Sequence, residues 1–212
     1  MNNKRNEKEL SMQERKRIEI FNKEKSNLIE NGYIEHDLTI NVVKANLLAF
    51  IVPLPIIAFL ALIFFLTGNK LIFNSNEITF IIIIINLVLS TIIHESIHGL
   101  TFGIFATNHF KDIAFGIIWK TLTPYCNCLK PLKRYQYFLG ILMPAIVLGI
   151  IPCILASIIG NSTLLVSGFF QLLCAGGDLS IIGLALLNVP KTKDAIYYDH
   201  PTECGVVLFD KE

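Results

Sequence analysis

The stretch Asn86-Leu87-Val88-Leu89-Ser90-Thr91-Ile92-Ile93-His94-Glu95-Ser96-Ile97-His98 decides how the rest of the chain is read. It lies inside an apolar run from Ile78 to about Ala106, and no charged residue occurs between Ile78 and Ile93. Two imidazoles and a carboxylate then arrive together as H-E-x-x-H. On a helix, residues four apart share a face, so His94 and His98 point the same way and can grip one zinc ion. Glu95 sits beside them, placed to act on water at the metal rather than on the metal itself. A charge at the centre of a membrane span costs about 2.5–3.5 kcal/mol even on a lenient insertion scale. Such groups persist where a metal, a partner or a water-filled cavity compensates.

The surrounding composition supports a membrane setting. Of 212 residues, 53% are hydrophobic and 17% charged, with a mean hydropathy of +0.57, far from the profile of a soluble domain. Four segments are long enough to cross about 30 Å of hydrocarbon. They are 46–67, 78–106, 137–159 and 162–187, the last two meeting in a tight hairpin at Gly160-Asn161-Ser162. The expected fold is therefore an all-α membrane protein, a bundle of four transmembrane helices over residues 46–188. A charged arm (1–45) precedes it and a short tail (189–212) follows. Because the arm is too long for a signal-peptide n-region, the first span reads as an uncleaved anchor. With four spans, seventeen of the eighteen Lys and Arg residues fall on the side of the termini and one on the other. The positive-inside rule then puts both termini in the cytosol of a multi-pass protein of the cell membrane. This distribution accounts for the basic residues, and nothing suggests nucleic-acid binding.

A catalytic zinc site wants three protein ligands and an open position. Outside the H-E-x-x-H helix, the only acidic residue in any span is Asp178, in Ala175-Gly176-Gly177-Asp178-Leu179. Ser96 and Asp178 lie at equal distance from the cytosolic ends of spans that run in the same direction, about 15 Å at 1.5 Å per residue. Gly176 and Gly177 would allow close approach to the small-residue face Gly99-x-x-x-Gly103. A Zn2+ held by His94, His98 and Asp178 is consistent with these depths. His109 and His200 lie beyond the spans, and Asn108 and Asn188 read as helix-terminal residues. Asn86 is placed to hydrogen-bond within the bundle.

The remaining features are organisational. Ser11-x-x-Glu14 is a capping box and Asn31-Gly32 a stop, which predicts a charged helix over 12–30. Its apolar positions Ile18, Phe21, Leu28 and Ile29 would lie on the membrane surface or cover the cytosolic loops. Glu35-His36-Asp37 reads as surface polarity, since neighbours on an extended segment point to opposite sides. The 107–136 loop is rich in β-branched and aromatic residues, which predicts a short β-hairpin or an interfacial loop, with Trp119 and Tyr125 at headgroup level. A strand there could pair with an extended peptide. Five cysteines, including Cys126-Asn127-Cys128, read as ordinary reduced thiols. Pro53, Pro55, Pro144 and Pro152 could loosen their helices and open a path for substrate or water.

Four blocks of sequence carry a family resemblance. They are the H-E-S-I-H helix, Thr123-Pro124-Tyr125 with Leu129-Lys130-Pro131-Leu132, Leu142-Met143-Pro144, and Gly176-Gly177-Asp178. In order and content they resemble the bacterial putative zincin peptidase family, itself similar to the site-2 protease type of intramembrane metalloprotease. The resemblance covers about residues 45–190 and leaves the arm and tail outside. It implies zinc ligands at His94, His98 and Asp178 and a general base at Glu95. One departure is visible: site-2 proteases set the third ligand in N-P-D-G or L-D-G, whereas this chain has G-G-D-L. The expected function is zinc-dependent hydrolysis of a membrane protein or peptide within the lipid bilayer. The rival readings are a metal or ion transporter, which the lack of an inverted repeat argues against, and a catalytically silent scaffold.

Overall fold

The computed structural model describes residues 11–72, 77–118, 123–188, 192 and 194–211. Helices dominate. The first apolar segment forms α2 (Val42–Ile51) and α3 (Leu54–Leu66), broken where Pro53 cannot continue the hydrogen-bond ladder. The H-E-x-x-H helix α4 runs unbroken over Glu77–Phe105. The third segment is α5 (Arg134–Pro144), a wide π-helical turn over Ala145–Ile150 that follows Pro144, and α6 (Ile151–Ile159). Gly160 then adopts φ +69° and closes the hairpin, and the Asn161 side chain caps the next helix at Leu164.

Here the structure departs from the expectation of a single fourth span. Residues 162–187 form two helices, α7 (Ser162–Cys174) and α8 (Gly176–Leu187), bent by 53° at Ala175. Among the described residues, three helical segments are long and apolar enough to cross a membrane, Val42–Leu66, Val88–Phe105 and Arg134–Ile159, and four if the bent pair is one span. Their outer faces carry exposed Phe50, Phe59, Leu62, Ile92, Ile104 and Ile158, while Phe64, Cys153, Leu165 and Leu172 fill the interior. Asn86 accepts a hydrogen bond from Ser167 at 3.2 Å, on the exposed side of the helices rather than in their interior.

The all-α expectation needs a second correction. The 107–136 loop does contain a hairpin, β2 (Ile113–Ile118) against β3 (Thr123–Cys128); Trp119 lies outside the described residues. A four-stranded antiparallel sheet, unforeseen, also gathers β1 (Ile34–Asp37), β6 (Val206–Asp210), β5 (Ile196–Asp199) and β4 (Leu132–Lys133), in that order. The tail is thus folded against the arm. Within β1 the polar residues find separate partners: His36 meets Asp210 at 2.8 Å and Glu35 meets Lys25 at 2.5 Å.

The arm's helix, α1 (Met12–Glu30), carries the capping box at Ser11 and Glu14. Of the two placements open to it, the structure takes the second and covers loops. Arg17, Phe21, Glu24 and Leu28 recur at helical spacing and meet the sheet and hairpin. Phe21 packs edge-on against Tyr198 at 5.0 Å in a cluster with Leu28, Val207 and Phe209. Glu24 pairs with Lys130 at 2.5 Å. Removing a buried phenylalanine costs about 3–5 kcal/mol. Phe21→Ala is therefore expected to loosen α1, read as faster tryptic cleavage at Arg15, Lys16 and Lys23. An unchanged cleavage rate would mean that α1 is held elsewhere.

Candidate metal centre

Helical spacing on α4 stacks the two histidines. His94 Nε2 and His98 Nε2 lie 3.1 Å apart, their ring centroids 4.8 Å apart. Asp178 comes from the first turn of α8, where the helix N-terminus favours a carboxylate. Its Oδ2 stands 3.0 Å from His94 Nε2 and 3.3 Å from His98 Nε2. His94, His98 and Asp178 thus converge as one potential metal-binding group. The bend at Ala175 creates that helix start. Without it, Asp178 would be an ordinary mid-helix residue.

The glycines work differently from the sequence expectation. A Cβ at Gly176 would strike the Ala49 backbone of α2, and one at Gly177 would meet nothing within 4 Å. Gly99 and Gly103 receive the Phe115 and Phe110 rings from the hairpin side, not α8. The small-residue face of α4 therefore seats aromatic side chains of the loop.

One contact orients His98. Its Nδ1 lies 2.9 Å from the Gly140 carbonyl, which can only accept, so Nδ1 carries a proton and Nε2 is turned inward. Nε2 there faces the Asp178 carboxylate and His94 Nε2 at hydrogen-bond distance. Three donors about 2.0–2.1 Å from a tetrahedral zinc would stand about 3.3 Å from one another, close to the separations here. The donor set fits zinc: two imidazoles, one carboxylate, and an open side toward the cavity.

That cavity, of about 290 Å³, is lined by the three ligands, Glu95, Phe102, Ile141, Cys174 and, from outside the helical bundle, Pro124, Tyr125, Cys126, Asn127 and Asp199. Glu95 is half-buried and reached by the Cys126 backbone amide. The register explains how β3 presents that amide. Leu129 N donates to Asp112 O at 2.7 Å, which makes this a hydrogen-bonded pair; counting back along the ladder, Asn127 and Tyr125 bond to β2 whereas Cys126 and Pro124 face away. The outward edge of β3 is therefore the one that borders α4.

The other candidates fall away from the centre. His109 and His200 serve their own loops: His109 Nδ1 contacts the Gly103 carbonyl, and His200 Nδ1 accepts from the Glu203 amide. Asn188 bonds back to Leu184 and Asn108 to Asp112. All five cysteines are free, and burial pushes the Cys128 thiol up to about 12 and the Cys126 thiol further still. Neither thiol belongs to the group of side chains that could share an ion. Sequence reasoning missed Asp199, on β5; its only signal was an acidic residue following two aromatics in Tyr197-Tyr198-Asp199.

A helix-borne H-E-x-x-H, with its Glu95 at the cavity, and a carboxylate from a second helix make a His-His-Asp group that could hold a metal ion. The family model described as "Putative zincin peptidase" matches residues 87–193, about half of the chain, and the chain belongs to that family. Its description is that of a metallopeptidase, and the metal it implies is zinc. No curated protein and no solved structure matches the chain.

Proposed function

We propose that the protein is an intramembrane metallopeptidase of the site-2 protease type. It hydrolyses a peptide bond of a membrane-embedded or membrane-associated substrate near the cytosolic face. The observation that carries this reading is the convergence of His94, His98 and Asp178 at a cavity shared with Glu95, between apolar helices. The lysine and arginine distribution supports a multi-pass cell-membrane protein with both termini in the cytosol. On that orientation, α1, the hairpin and the sheet cap the cytosolic end of the bundle. The cavity reaches from the ligands to Tyr125, Asn127 and Asp199 of those capping elements, which gives water a polar route to a site flanked by lipid.

Zinc, when bound, supplies Lewis acidity at the scissile carbonyl and lowers the pKa of water toward neutrality. Glu95 takes the proton from the attacking water and hands it to the leaving amine. His98, oriented by Gly140, and His94 hold their Nε2 atoms inward, and Asp178 provides the negative charge of the ligand set. A substrate helix hides its peptide bonds and must be extended at the cut. The outward edge of β3 beside Glu95, with the Pro124 and Cys126 carbonyls, is suited to hold such a segment by strand addition.

The test is metal content together with cleavage. Protein purified in mild detergent is expected to hold about one zinc per chain and to cleave a membrane-spanning peptide. Chelation is expected to abolish cleavage and re-addition of zinc to restore it. Absence of stoichiometric metal from the purified protein would defeat the reading.

A further inference from the structure

We propose that Asp199 is a substrate-binding residue that receives a lysine or arginine side chain lying within two residues of the scissile bond. This rests on the peptidase reading and narrows its substrate class. Asp199 belongs to β5, beyond the family-matched segment, yet its side chain lines the cavity of the metal ligands. It is held there by groups that are themselves fixed. Tyr137 Oη donates to its Oδ1 at 2.7 Å, and Tyr137 is 1% exposed and stacked on Tyr197. Asn127 Nδ2 reaches Oδ2 at 3.4 Å, with Asn127 Oδ1 accepting in turn from Arg17 Nη1 at 2.6 Å. The Cys128 backbone amide also faces the carboxylate.

These neighbours donate hydrogen bonds but bring no positive charge. Among the described residues, no lysine or arginine forms an ion pair with Asp199. Arg17, the nearest candidate on this network, is spent on Asn127 and on the Tyr125 ring, with its guanidinium carbon 4.2 Å from the centroid. Burial accordingly raises the Asp199 carboxyl above the usual carboxylate range. A half-buried carboxylate hydrogen-bonded only by neutral donors is costly to keep ionised, and a cation entering from the cavity would relieve that cost. Two oxygens offer about four acceptor positions, so room remains beside the three donors.

The spacing along β3 sets where that cation lies on a substrate. Glu95 meets the strand at Cys126 and Asp199 meets it at Cys128, two residues or about 7 Å apart. A peptide laid along this edge with its scissile bond at Glu95 places a flanking side chain at Asp199. Membrane segments carry Lys and Arg at their cytosolic ends, which is where such a chain would enter.

The test uses full-length, zinc-loaded protein and two membrane-spanning peptides that differ only by lysine or norleucine two residues from the cleaved bond. Affinity is read on Glu95→Gln protein, so that binding is measured apart from turnover, and kcat/KM on wild type. The lysine peptide is expected to bind about tenfold or more tightly, the scale of a charge-assisted hydrogen bond, with the difference residing in KM. Asp199→Asn should erase the difference, and Asp199→Lys should shift preference to a glutamate peptide. Equal affinities for the lysine and norleucine peptides would overturn the proposal whatever the variants do. So would an Asp199→Asn effect that lowers both peptides alike, the mark of a structural anchor. Discrimination in binding without cleavage by wild type would instead sink the peptidase reading and leave the Asp199 site standing.

Discussion

Glu95→Gln is expected to leave zinc stoichiometry intact and to lower kcat for membrane-peptide cleavage about 10²- to 10⁴-fold, the usual contribution of a general acid–base group. The residue lies outside the group of His94, His98 and Asp178 that could hold a metal ion. Glutamine matches glutamate in size and still accepts through its carbonyl oxygen, so the half-buried side chain keeps its position beside Cys126. What it loses is the capacity to take a proton. The loss should therefore appear in kcat, with peptide affinity preserved. Metal analysis on the same preparation separates this from a collapsed site. Loss of zinc along with activity would show that Glu95 helps to hold the centre; retained cleavage would remove it from the mechanism.

The centre was legible in the chain because its parts are local or scarce. His94, Glu95 and His98 share one helical turn, and their spacing alone places the imidazoles on one face. Asp178 was legible by scarcity, being the lone acidic residue in the spans outside that helix. The bend that presents it was not. Cys174-Ala175-Gly176-Gly177 contains no proline, and the run from Ser162 to Leu187 is mostly apolar, with Asp178 its one charged residue. The break is favoured by tertiary packing, where Gly176 lies against the Ala49 backbone.

The four-stranded sheet was hidden for a different reason. Val206 to Asp210 is buried at every position, so it lacks the alternation that marks a half-exposed strand. Its partner Ile34–Asp37 lies at the other end of the chain, and no local pattern reports such pairing. Asp199 was lost with the sheet: read as part of the tail, it had no reason to reach the cavity shared with His94, His98 and Asp178. Here the tail, outside the family-matched segment, lines the cavity through Asp199, and the arm reaches the cavity-lining Asn127 through Arg17.

The ligand role of Asp178 gives the second large effect. In a set of two imidazoles and one carboxylate, Asp178 would bring the only negative charge opposite a dication, and it sits at a helix N-terminus, which favours a carboxylate. Four-ligand structural zinc sites bind with roughly 10–16 kcal/mol, or about 3 kcal/mol per ligand. Asp178→Ala should then weaken zinc by about two to three decades, measured by competition with a chelator of known affinity, and cleavage should fall at limiting metal. Asp178→Asn separates charge from shape. The amide retains an oxygen donor at the same reach but no charge, so its affinity should fall between wild type and Asp178→Ala. Asp178→His restores a nitrogen donor and should recover part of the binding if the 3.0 and 3.3 Å approaches to the histidines reflect a shared ion. His94→Ala is the internal standard, because it removes a ligand from the motif itself. If Asp178→Ala holds zinc as tightly as wild type while His94→Ala does not, the carboxylate only hydrogen-bonds the imidazoles and the third ligand must come from another residue or from water.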